Sequence, residues 1–350
     1  MSTDIEWTDE VWNPVVGCAR VSPGCENCYA ERVAHRGLSE RHRGLTVAGK
    51  QGPRWTGEAR FVPEALGKPL HWRKPRRVFV NSMSDLFHEN ITFAQIAAVF
   101  GVMAATPHLT YQVLTKRPAR MLEFFRWMTA TAPMASIDGR LVDLATIKAL
   151  NQLLHDANVG EIAFGGAERW PLPNVWLGVS VEDQKRADER IPLLLQCPAA
   201  LRFLSVEPLL GPVDLRHVDA DRAGHESMCQ IDTLTGRHTD MGRPCHTVER
   251  IDWVIVGGES GHGARPCDIS WIRSVVDQAR RAGVAVFVKQ LGAAPVFHRH
   301  TTDDVPADHL RMSLDNGRWR LLGMRDRKGA DPLEWPEDLR VQEFPEVRRG

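Results

Sequence analysis

Six strand-length apolar runs punctuate the chain: "RRVFVNS" (76–82), "TYQVLT" (110–115), "NVWLGVSV" (174–181), "LRFLSVE" (201–207), "DWVIVGG" (252–258) and "VAVFVKQ" (284–290). Each is rich in Val, Ile, Leu, Phe or Trp and bounded by breakers, so each predicts a strand. Because the runs are nearly continuous in apolar residues, both faces of each strand must be covered, which is the pattern of a parallel sheet. Segments with helical spacing lie between them: "TFAQIAAVFGVMAA" from Thr92, "PARMLEFFRWM" from Pro118, "LVDLATIKALNQLLHDA" after the turn "SIDGR" (136–140), "EDQKRADERIPLLLQ", and "DISWIRSVVDQARRAG" with Asp268 as N-cap and Gly283 as C-cap. Strands alternating with helices predict an α/β fold. A further strand before Cys18 brings the expected count to six or seven.

Sequence order alone allows a partial or closed parallel (β/α) barrel or an open doubly wound sheet. The barrel is favoured by the polar residues at or just past the carboxyl ends of the runs: Asp85, Lys116, Glu182, Glu207, Glu259 and Lys289. In a barrel such ends converge on one face. Residues 37–75 and 216–250 interrupt the alternation and are expected to be loop insertions. The expected organisation is a barrel over 1–292 and a C-terminal extension over 293–350 that wraps it, without strand or helix patterns of its own.

Lys+Arg and Asp+Glu are equal at 44 each, so no global charge marks the chain as a nucleic-acid binder, although a local basic patch remains open. No apolar run approaches the roughly 20 residues of a membrane span, and the start "MSTDIEWTDE" is acidic and polar, so a cytoplasmic protein without a membrane partner is expected. The seven cysteines are too few and too unevenly placed for a disulfide framework. Three of them are crowded into "WNPVVGCARVSPGCENCYAE", where Cys18, Cys25 and Cys28 have the spacing C-x6-C-x2-C. Pro14, Gly17, Pro23 and Gly24 allow that loop to fold so that the three thiolates converge on one metal centre.

A structural zinc site normally takes four protein ligands, and the nearest fourth candidate is His35. An iron-sulfur cube held by three cysteines instead leaves one iron open for an exogenous ligand. Zinc with a distant fourth ligand and free cysteines are the alternatives. In the second insertion Cys229, His238, Cys245 and His246 offer a further possible zinc set, whereas Cys197 and Cys267 lack partners in sequence.

A three-cysteine loop after the first strand of a (β/α) barrel resembles the radical S-adenosylmethionine (radical SAM) enzymes. More closely, "IEWTD", "WNPVVGC", "VSPGCENCYAE", "VNSMSDLFH", "LTKRP", "LSVEPLLGP" and "WVIVGGESG" together resemble a phage-associated three-cysteine family of unknown function that has been likened to them. The resemblance implies a radical-SAM-like barrel and a 4Fe-4S cluster on Cys18, Cys25 and Cys28, with S-adenosylmethionine as second cofactor. It implies reductive cleavage of that cofactor to a 5′-deoxyadenosyl radical acting on an unknown substrate, and hence an external electron donor. The spacing departs from the usual C-x3-C-x2-C, and Tyr29 follows the last cysteine where an aromatic residue usually precedes it. The G-G-E that would hold the cofactor's amino group after the second strand is replaced by "NSMSD" (81–85), since Gly257-Gly258-Glu259 follows a much later strand.

Candidate cofactor-binding residues are therefore Asn81, Ser82, Ser84 and Asp85, whose hydroxyls and carboxylate can accept from an ammonium group, together with Ser180 and Glu182. Lys116, Glu207, Glu259 and Lys289 are candidate catalytic residues, as anion anchors, ribose ligands or proton carriers, or else mutual ion-pair partners. "HWRKPRR" (71–77) combines basic side chains with a tryptophan and makes a nucleic acid or nucleotide the first expectation for a substrate. The rival reading is a non-catalytic, zinc-stabilised barrel that binds nucleic acid or a partner protein.

Overall fold

A computed structural model describes residues 3, 5–37, 39–50, 52–131, 135–137, 140–142, 171–220, 229–240, 243–298, 310–313, 318–322 and 324–346. Two compact units divide the chain: Met1–Val179 with Gln196–Leu201, and Ser180–Leu195 with Arg202–Gly350. The fold is mixed α/β, and the strands formed by the apolar runs pair in parallel, as their composition requires.

The first unit contains β1 (Glu10–Trp12), β2 (Val15–Val16), β3 (Thr46–Val47), β4 (Arg54–Trp55), β5 (Arg60–Phe61), β6 (Arg77–Val80), β7 (Thr110–Thr115), β8 (Ala135–Ile137), β9 (Arg140–Val142) and β10 (Val175–Ser180, whose last residue falls in the second unit). Its helices are α1 (Tyr29–His35), α2 (Pro63–Leu66), α3 (Phe93–Ala104) and α4 (Pro118–Thr131). Four strands form its parallel ladder in the order β1–β6–β7–β10. Glu10–Trp12 pairs with Val78–Val80, Arg77–Val80 with Thr110–Val113, and Tyr111–Thr115 with Val175–Val179. All six residues of β10 are buried, which is why its sequence lacks polar alternation.

Helix α3 begins at a capping box. Thr92 Oγ1 accepts from the Gln95 amide at 3.2 Å, and Gln95 Oε1 accepts from the Thr92 amide at 2.9 Å. Phe100 of α3 stacks on Phe124 of α4 with ring centroids 5.3 Å apart, joining the two helices through their apolar faces. The turn expected at "SIDGR" is flanked by the antiparallel pair β8 and β9, with Ile137 opposite Arg140. The helix expected over "LVDLATIKALNQLLHDA" lies outside the described residues beyond Val142.

The second unit contains β11 (Leu201–Val206, whose first residue falls in the first unit), β12 (Val218–Asp219), β13 (Cys229–Asp232), β14 (Arg237–Asp240), β15 (Arg243–Thr247), β16 (Trp253–Gly257), β17 (Cys267–Asp268), β18 (Ala285–Gln290), β19 (Pro295–His298), β20 (Leu310–Ser313) and β21 (Arg318–Leu322). Its helices are α5 (Gln184–Leu195) and α6 (Ile269–Arg281). Three strands form its main parallel ladder, β11–β16–β18, so the two main ladders together hold seven strands, and β17 pairs with β19 in parallel besides. Asp268 caps α6 by accepting from the Ser270 amide at 2.9 Å, and Ile269, Ile272, Val275, Val276 and Ala279 form its buried stripe. Ala282 occupies the C-cap, with Gly283 one residue beyond at φ +66°.

The outer edge of β18 is occupied by the segment at 341–343. Val288 N donates to Val341 O at 2.8 Å and Glu343 N to Val286 O at 2.9 Å, so the parallel ladder ends there. Two polar stretches are more regular than expected. The 216–250 insertion folds as the antiparallel sheet β12–β13–β14–β15, and the C-terminal extension contributes β19, β20 and β21, which join β17 in a second small sheet.

Candidate functional site

Strand β2 leads into the three-cysteine loop and pairs antiparallel with β5, Val15 opposite Phe61. Gly17 then takes φ +84° and passes so close to the Glu58 carbonyl that a Cβ would overlap its oxygen. At this point the chain bridges Ser84, and Ser84 Oγ donates to Val15 O at 2.8 Å. The loop is thereby anchored beside 81–85, just past the carboxyl end of β6. A short 3-10 turn at Pro23–Cys25 follows, and Cys28 stands at the N-cap of α1. The three thiols are half-buried, and Cys18 and Cys28 pack against a core that includes Val16, Leu45, Trp55 and Met83.

Two ion-paired arginines frame the loop. Arg20 donates from Nε to Glu31 Oε1 at 2.8 Å, while the same buried carboxylate oxygen accepts from the Trp55 amide at 3.0 Å. Glu31 is the main group holding Arg20 charged, with smaller contributions from Cys28 and Cys25. From the other side Arg117 reaches in from the end of β7. Its Nη1 stands 3.8 Å from Cys18 Sγ and 3.2 Å from Asp85 Oδ2, Nη2 donates to Ala19 O at 3.1 Å, and Nε donates to Glu89 Oε1 at 3.2 Å. Burial alone would disfavour the Arg117 charge, but Asp85, Cys18 and Glu89 outweigh it and raise its pKa.

Burial pushes the Cys18 thiol up to about 12, with Asp85 adding to the rise and Arg117 opposing it. Burial also raises Cys28, against the pull of the Ala30 and Glu31 amides and the Lys116 charge.

Asp85 is a hub. Oδ1 accepts from Thr115 Oγ1 at 2.7 Å and the Phe87 amide at 3.0 Å, and Oδ2 from the Lys116 amide at 3.0 Å and Arg117. These four donors account for the acceptor sites of a carboxylate, so Asp85 ties β7 to the 81–85 loop. Asn81 is buried at φ +63°, a left-handed conformation uncommon for a residue with a Cβ. Its Oδ1 accepts from Val15 N at 3.3 Å, while its buried Nδ2 has no partner among the described residues. Ser82 and Ser84 each donate a hydroxyl proton and keep acceptor lone pairs, and Tyr29 Oη donates to Ser82 O at 2.6 Å. Thus Cys18, Asn81, Ser82, Ser84, Asp85 and Lys116 gather around one loop in the first unit.

The other expected residues belong to the second unit. Glu207 accepts from Lys289 Nζ at 2.8 and 3.0 Å and from Gln290 Nε2 at 3.0 Å. Glu259 accepts from Arg265, with Nε at 3.0 Å and Nη2 at 2.6 Å. Glu182 is fully buried against Arg190 at 2.8 Å, and the same guanidinium donates to Ser180 O at 2.7 Å, which ties α5 to the end of β10. The pairing foreseen between strand-end acids and lysines is present for Glu207 and Lys289, whereas Glu259 takes an arginine six residues downstream.

Among the described residues, no group of three or more His, Cys, Asp or Glu side chains could hold a single metal ion. His35 Nδ1 instead lies 3.1 Å from Thr46 Oγ1. In the small sheet the His238 and His246 ring centroids are 4.5 Å apart, Cys229 Sγ lies 3.5 Å from Asp240 Oδ1, and Cys245 is exposed. The loop offers three soft donors, with Arg117 beside Cys18 and backbone amides favouring the Cys28 thiolate, a donor set of the chemical kind an iron-sulfur cluster takes.

The segment "HWRKPRR" precedes β6, at the opposite end of that strand from the cysteine loop. Its Trp72 ring already faces cations, with Lys68 Nζ 5.3 Å and Arg76 Cζ 5.5 Å from the centroid, while Arg73 and Lys74 are exposed.

Parallel α/β strands with a three-cysteine loop past the first of them define the class of this protein. The chain belongs to DUF5131, a family described as a protein of unknown function, which matches residues 2–320. No curated protein and no solved structure matches it. Among the described residues, no helix is long and apolar enough to cross a membrane.

Proposed function

We propose that this protein is a radical-SAM-like iron-sulfur enzyme whose 4Fe-4S cluster is held by Cys18, Cys25 and Cys28. The observation that supports it most is the bridge between Gly17 and Ser84, which sets the cysteine loop against 81–85 and the end of β7. With S-adenosylmethionine bound, the cluster would supply reductive cleavage to a 5′-deoxyadenosyl radical, given an electron from an external donor. The chain's own residues would bind and orient. Ser82 and Ser84 would accept from the cofactor's ammonium group, while Asp85, already saturated, would hold Arg117 and the Lys116 amide in place. Lys116 would offer a cation to an anionic group.

The proposed substrate is a nucleic acid or nucleotide. Contact with Arg73 and Lys74 requires a strand long enough to run the length of β6.

Anaerobic reconstitution with iron and sulfide tests the reading. Iron and sulfide in equal amounts, with an electron paramagnetic resonance signal that moves when S-adenosylmethionine is added, are expected. Stoichiometric zinc and no bound iron would refute it.

A further inference from the structure

Arg117 stands out because a buried guanidinium reaches a cysteine sulfur. Its Nη1 is shared between Cys18 Sγ at 3.8 Å and Asp85 Oδ2 at 3.2 Å, while Nη2 fixes the next carbonyl, Ala19 O, at 3.1 Å. Glu89 and Asp85 hold the other edges of the fork, and the Arg117 amide donates to Thr115 Oγ1 at 2.8 Å, so the side chain is locked from several directions. Lysine has a single point charge and no such fork.

We propose that Arg117 is a positioning residue that sets the reduction potential of a cluster bound at Cys18, and that Asp85 trims its effect. This rests on the reading of the three cysteines as cluster ligands. A reduced cluster carries one more negative charge than the oxidised form. A cation and N–H donor at a ligating sulfur therefore favour reduction and raise the potential, whereas a nearby carboxylate lowers it. Burial of both Arg117 and Asp85 keeps water from screening either effect. The two residues should thus act with opposite signs although they are bonded to each other, which damage to the loop would not produce.

The test is a redox titration of the anaerobically reconstituted full chain, following the visible and paramagnetic signals of the cluster. Arg117→Gln is expected to shift the midpoint potential to more negative values and Asp85→Asn to more positive ones. Should Arg117→Gln fail to hold a cluster, Arg117→Lys carries the measurement, with a smaller negative shift expected because the charge is kept and the fork lost. A bound cluster whose potential is unmoved, or moves in the same direction in both variants, overturns this inference alone. Wild-type protein that takes up no cluster overturns it together with the reading of the cysteines.

Discussion

Arg20 and Glu31 close the cysteine loop at its base, Nε to Oε1 at 2.8 Å, across a separation of eleven residues that contains both Cys25 and Cys28. Glu31 is buried on α1 and Arg20 is partly exposed, so the pair fixes the angle at which the loop enters the helix. Among the described residues, Arg20→Ala would leave the buried Glu31 carboxylate with the Trp55 amide as its remaining hydrogen-bond donor. A loss of about 2 kcal/mol in urea unfolding is expected. Iron should also pass to a chelator faster than from wild type; unchanged release would separate this ion pair from the loop's hold on metal.

The three cysteines should act as a unit, because a cube that lacks one of its protein thiolates is labile. Replacing Cys18, Cys25 or Cys28 by Ala should remove most of the iron, measured per chain after anaerobic purification, while Cys229→Ala should retain it. Full iron in Cys25→Ala would exclude the assignment.

Gly17 is needed for two reasons, its positive φ and the Glu58 carbonyl against its Cα, whereas Gly37 has φ +67° and open space around it. Gly37→Ala should cost about 1 kcal/mol from backbone conformation alone. Gly17→Ala should cost clearly more, on the order of 3 kcal/mol, with a lower melting temperature. Equal losses would show that the contact with Glu58 yields freely.

The six parallel strands that carry the apolar runs were legible because they are largely buried on both faces, which leaves a nearly continuous apolar run in sequence. The antiparallel strands were not. All five residues of β15 are exposed, so no apolar period marks them, and the short β1 showed only as a strand before Cys18. The cysteine loop was legible from spacing, and the pairing of Glu207 with Lys289 from their strand-end positions. What binds the loop was only partly visible. Lys116 was marked as an anion anchor by its place after a strand, but the approach of its neighbour Arg117 to Cys18 spans 99 residues, and the β6–β7 pairing together with the Gly17–Ser84 bridge brings them together. Nor did sequence indicate that Asp85 would spend its oxygens on β7, since Thr115 and the Lys116 amide are 30 and 31 residues away.

His88 should impose a pH dependence on stability. It is buried, its Nδ1 accepts from the Asn90 amide at 3.2 Å, and burial followed by the nearby Arg117 charge lowers its pKa. A histidine whose folded pKa lies below its unfolded value of about 6.5 binds fewer protons when folded, so its contribution is present above that pH and is lost as pH falls toward the folded pKa. Wild type should therefore lose stability on acidification below about 6.5, and His88→Gln should lose less over the same window. Parallel pH profiles would show that His88 is not a source of the dependence.

The most direct measurement is the product formed when anaerobically reconstituted full-length protein is incubated with S-adenosylmethionine and dithionite. 5′-Deoxyadenosine and methionine should appear in equal amounts by chromatography and mass spectrometry, and both should vanish in Cys28→Ala. A fully loaded cluster that yields no 5′-deoxyadenosine, with a paramagnetic spectrum indifferent to S-adenosylmethionine, would contradict the proposed chemistry and leave an electron-transfer or structural role for Cys18, Cys25 and Cys28.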